Sequence, residues 1–117
     1  MAKKTNGKAS PERKEIERLT EIYRNLPPKQ FALAQGLIAE AARLRVRCDA
    51  LWLDIQEKGE FEMFSQSADA EPYERERPSS RIYTASNKSY QSIIKQLNDM
   101  IPAEKDVAGG KLGEFLG

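Results

Sequence analysis

The 117-residue sequence contains no histidine and a single cysteine. Without histidine the chain lacks the commonest general base at neutral pH and the commonest transition-metal ligand. The lone Cys48 cannot close an intrachain disulfide, which points to a reducing compartment. No run approaches the ~18 apolar residues that a membrane-spanning helix needs, and the start MAKKTNGKAS lacks the apolar stretch of a signal peptide. The expectation is a soluble chain that stays where it is made, with no membrane partner. A phosphate-cradling loop is also missing: GGKLG at residues 109–113 has neither a preceding strand nor the GxxxxGK[ST] spacing. Cys48 falls on an apolar seam, where a small buried hydrophobe is expected rather than a nucleophile. Glu60, Glu62, Glu74 and Glu76 alternate with apolar or basic residues, as in a solvated ribbon rather than a two-carboxylate site. These absences argue against an enzyme and imply neither cofactor nor metal.

What is present is a helical composition with one wet face: 39% hydrophobic and 32% charged residues, enough for one modest core. The net charge of +1 is unevenly spread. Residues 1–30 hold eight Lys or Arg against four Glu, and the remainder carries eleven basic and fourteen acidic residues. Residues 1–9 offer nothing large to bury and are expected to form a disordered basic arm. Ser10-Pro11-Glu12 then reads as a helix start, with Ser as N-cap and Pro in the first turn. Ile16, Leu19, Ile22, Tyr23 and Leu26 place a short helix over about 11–25, ended by Pro27-Pro28. A second helix over 28–58 carries Leu37, Ala41, Leu44, Cys48, Leu51 and Ile55 at alternating steps of four and three, a heptad seam that needs a partner helix. A third over 79–101 carries Ile82, Tyr90, Ile93, Ile94, Leu97 and Ile101 and stops at Pro102. EFEMF and YERER, within 60–77, alternate with period two and predict a small β-ribbon. The predicted fold is mainly α: a long antiparallel helical hairpin with a short N-terminal helix and the ribbon at its tip. Its core domain is expected over 10–105, with a flexible tail over 106–117.

The succession PPKQFALAQGLIAEAARLRVRCDALWLDIQEKGEFEMF, a polar ribbon, and RPSSRIYTASNKSYQSIIKQLNDMIP resembles the small subunits of tailed-phage DNA-packaging terminases. LWLDIQEKGEFEMFSQ and NKSYQSIIKQLNDMIP carry the resemblance most directly, and it extends from Pro28 to Lys105. It implies a homo-oligomeric ring, probing double-stranded phage DNA in the host cytoplasm and regulating a large subunit that holds the ATPase and nuclease. Unlike many members, this chain has no separate N-terminal helix-turn-helix of adequate length, only the basic arm and one short helix.

Candidate residues follow from both readings. Lys3, Lys4, Lys8, Arg13, Lys14 and Arg18 are positioned to contact phosphates, with an affinity that multiplies around an oligomer. Trp52, Phe61, Phe64, Tyr73, Arg75, Arg77 and Arg81 are expected at a joint between subunits. Phe31, Ile38 and Tyr83 add apolar surface beyond what the hairpin seam absorbs. Leu112, Phe115 and Leu116, beyond Gly109-Gly110, form an apolar cluster suited to docking on the large subunit. A protein-binding helical adaptor without DNA affinity is the rival expectation.

Overall fold

A computed structural model of the chain describes residues 10–102. The elements run α1 (Pro11–Tyr23), α2 (Pro28–Lys58), β1 (Phe61–Phe64), β2 (Tyr73–Glu76) and α3 (Pro78–Asp99). The expected arm and tail lie outside the described residues. Each of the three helices opens on a proline in its first turn, where the fixed φ is already helical and no N–H is missed. Ser10 caps α1 by accepting the Arg13 N–H at 3.1 Å. α1 ends at Tyr23, two residues short of the expected boundary, because a tightened turn donates the Leu26 N–H to the Tyr23 carbonyl. That turn carries Leu26 into the core. α2 ends at Gly59, whose φ of 86° lies in the left-handed region and whose N–H donates to the Ile55 carbonyl.

The core sits at the end of the hairpin away from the ribbon. There α1 folds back on the first half of α2, and α3 returns antiparallel to bring Leu97 beside Ala34, Ile38 and Ala41. Leu19, Tyr23 and Leu26 complete the buried cluster, edged by Ile16, Phe31, Tyr90, Ile93 and Ile94. The Tyr23 hydroxyl donates to Asn98 Oδ1 at 2.7 Å and ties α1 to α3.

Two expectations change. Ile38, read as surplus apolar surface, is 0% exposed, and Phe31 packs at the core edge. A two-helix seam leaves Ile38 outside, but α1 supplies a second covering helix for this half of α2. On the seam itself Ala41, Cys48 and Ile55 are buried at seven-residue spacing, while Leu37, Leu44 and Leu51 are half-buried. Ile82 on α3 and Ile101 just beyond its end are exposed, and the buried positions of α3 toward the ribbon are Ser80 and Ser86. Small hydroxyl side chains are thus buried where isoleucines were expected.

Candidate functional site

The two strands pair antiparallel with Phe61 opposite Glu76, Glu62 opposite Arg75, Met63 opposite Glu74 and Phe64 opposite Tyr73. Cross-strand partners share a face. One face therefore carries Glu62, Arg75, Phe64 and Tyr73, and these four interact. Arg75 Nε donates to Glu62 Oε2 at 2.7 Å, its guanidinium lies 3.6 Å from the Phe64 ring centre, and Phe64 meets Tyr73 edge to face at 5.9 Å. The opposite face holds Phe61 and Met63, 56% and 67% exposed, beside Glu76 and Glu74.

The ribbon is locked to the helices by Arg77. Its Nη1 donates to the Gly59 carbonyl at 2.9 Å, and its Nη2 lies 3.0 Å from Asp54 Oδ2, with Lys58 3.7 Å from the other carboxyl oxygen. Oδ2 is shut off from solvent and meets Arg77 off the hydrogen-bonding direction, so charge rather than a directed bond holds that contact. The Ser79 hydroxyl does most to keep the Asp54 carboxyl below its ordinary pKa; burial opposes it, and the Arg77 and Lys58 charges lower it further. Ser80 Oγ donates to Glu76 Oε2 at 2.9 Å and fixes the entry to α3. Arg75 and Arg77, expected to reach a neighbouring subunit, thus place their charge on partners within the chain. Arg81 is exposed and has no ion pair among the described residues.

Between the ribbon and the end of α1, the α2–α3 groove is uncovered. Arg45, Cys48, Asp49 and Trp52 of α2 face Tyr83, Asn87 and Tyr90 of α3 around about 170 Å³. Trp52 and Tyr83 stack at 5.4 Å, and Arg45 lies over Tyr90 at 5.8 Å. Burial, with Asp49 alongside, pushes the Cys48 thiol up, so it is held protonated at neutral pH as a packing residue. Of the nine exposed large hydrophobic side chains among the described residues, six lie in this half of the hairpin: Trp52, Leu53, Phe61, Met63, Tyr73 and Ile82. Trp52, Phe61 and Tyr73 were legible as candidates. Met63 was not singled out, although the same period-two alternation that marks Phe61 places it on the same face.

The candidate DNA contacts divide. Arg13 and Lys14 are exposed in the first turn of α1. Arg18 grips Glu15 through two hydrogen bonds of 3.0 and 2.6 Å, which lower the Glu15 carboxyl pKa and raise that of the guanidinium. Lys3, Lys4 and Lys8 lie outside the described residues, as do Leu112, Phe115 and Leu116. Residues 10–102 contain fourteen basic and fifteen acidic side chains, a slightly negative body. Among the described residues no helix is long and apolar enough to cross a membrane. Comparison of the chain with family models, with curated proteins and with solved structures finds no match.

Proposed function

We propose that the chain is a non-catalytic, self-associating subunit of viral DNA-packaging machinery, the small partner of a terminase. The observation that carries the self-association is the crowding of exposed aromatic and aliphatic side chains in the half of the hairpin that α1 leaves uncovered. At roughly 25 cal/mol per Å² of apolar surface removed from water, covering several such side chains is a substantial driving force. The packaging role rests on the sequence resemblance, which runs through both arms of the hairpin and the ribbon. In this reading the N-terminal segment, with Lys3, Lys4, Lys8, Arg13 and Lys14, contacts the phosphates of double-stranded DNA, because the body of the molecule has no basic surplus to do so. The tail with Leu112, Phe115 and Leu116 docks on the large ATPase and nuclease subunit.

One observation favours the adaptor that binds only protein. Eight ion pairs neutralise basic groups within the described residues, Arg18, Arg24, Arg43 and Arg45 among them. DNA retention against salt separates the readings. Phosphate contacts predict a steep loss of binding between roughly 50 and 200 mM salt, whereas absence of binding at the lower concentration assigns the adaptor role.

A further inference from the structure

We infer that two copies of the chain join edge to edge through β1, antiparallel and centred on Met63, to form one four-stranded sheet. This deepens the self-association reading and rests on it. A two-stranded ribbon is marginal in water by itself, and here each strand packs chiefly on the other, with no further strand on either outer edge among the described residues.

Backbone geometry says which groups those edges offer. In an antiparallel ladder, residue pairs that exchange hydrogen bonds alternate with pairs that do not. The Arg77 N–H donates to the Glu60 carbonyl at 2.7 Å, one step beyond the Phe61–Glu76 pair. The pairs 62/75 and 64/73 are therefore the bonded ones, and the N–H and C=O groups of Phe61 and Met63 point away from β2.

Charge narrows the choice of edge and register, and the exposed apolar side chains complete it. Pairing β2 with itself sets Arg75 against Arg75 when centred there, and Glu74 or Glu76 against its own copy when centred on either of those residues. Like charges directly opposite are destabilising. Pairing β1 about Glu62 has the same fault. Centred on Met63, β1 sets Met63 against Met63, Glu62 against Phe64 and Phe61 against Ser65, with no like charges opposed. The outward backbone groups of Met63 then meet their own copies in a bonded pair. Joining β1 to a partner's β2 would also be free of charge conflict and would set Glu62 beside Arg75. However, an exposed ion pair contributes little, and that arrangement leaves Phe61 and Met63 beside glutamates, as they already stand. The self-pairing about Met63 brings the most exposed apolar side chains of the ribbon together. It closes as a dimer, so any ring requires a further surface.

The test uses the full chain and two variants. Met63→Pro removes an N–H that the single chain does not use, at an edge position that tolerates proline; it is expected to keep the helical spectrum of the parent and weaken association about tenfold or more. Met63→Cys is expected to give a disulfide-linked dimer under mild oxidation, with the parent, whose Cys48 is buried, as the blank. A parent that self-associates while Met63→Pro associates equally well, or while Met63→Cys forms no covalent dimer, overturns the edge pairing and leaves self-association standing. A monomeric parent overturns both.

Discussion

Asp54 and Glu15 set the acid response at the scale of single residues. Each carboxyl has its folded pKa depressed, Asp54 chiefly by Ser79 with Arg77 behind it, and Glu15 chiefly by its hydrogen bonds from Arg18. A carboxyl of this kind stabilises the fold above its unfolded pKa, and that contribution is lost as pH falls through the folded one. Melting temperature is therefore expected to hold from neutral pH down to the ordinary carboxylate range near about 4 and to fall below it. Asp54→Asn should lower the neutral plateau and flatten the acid limb. A limb of unchanged shape would remove Asp54 from the joint's acid response. At Tyr23 the hydroxyl donated to Asn98 is a polar tie between α1 and α3. Tyr23→Phe keeps the ring and is expected to cost about 1 kcal/mol in a denaturant titration; no loss would mean that water replaces the bond without penalty.

At the scale of elements, proline and glycine made the boundaries legible. Pro11, Pro28 and Pro78 open the helices, and Gly59 ends the longest one. Nothing lies within 4 Å of a Cβ at Gly59, so the cost of Gly59→Ala is conformational, about 1–3 kcal/mol for placing alanine at φ 86°, ψ 174°. The depth of each position in the core was harder to read. A heptad seam assumes one facing helix, and α2 has two over its first half, which moves Ile38 inside and leaves Leu44 at the edge. Ile38→Ala is accordingly expected to cost about 2–5 kcal/mol and Leu44→Ala clearly less, as read from denaturation midpoints. Equal costs would contradict the three-helix core. The burial of Ser80 and Ser86 is not legible in the sequence because hydroxyl residues carry no apolar signal. At the candidate site, the aromatic residues were visible as apolar surplus, whereas the inward pairing of Arg75 and Arg77 depends on contacts between segments that spacing cannot reveal.

For the whole molecule, shape and charge point in the same direction. The radius of gyration is 20.8 Å, where a compact domain of this length would have about 13 Å. A hairpin with one half covered by α1 and exposed apolar side chains on the other is what the proposed self-association rests on. In the proposed reading, the near-neutral charge of residues 10–102 leaves the DNA contact to the N-terminal segment. Deleting residues 1–9 is expected to abolish most salt-sensitive retention of DNA while leaving assembly intact, and unchanged retention would move the contact elsewhere. The most direct measurement of the central claim is the mass of the intact chain in solution across a concentration series. Self-association through the uncovered half of the hairpin predicts particles at a multiple of 13.2 kDa; a single 13.2 kDa species persisting at high concentration would contradict it.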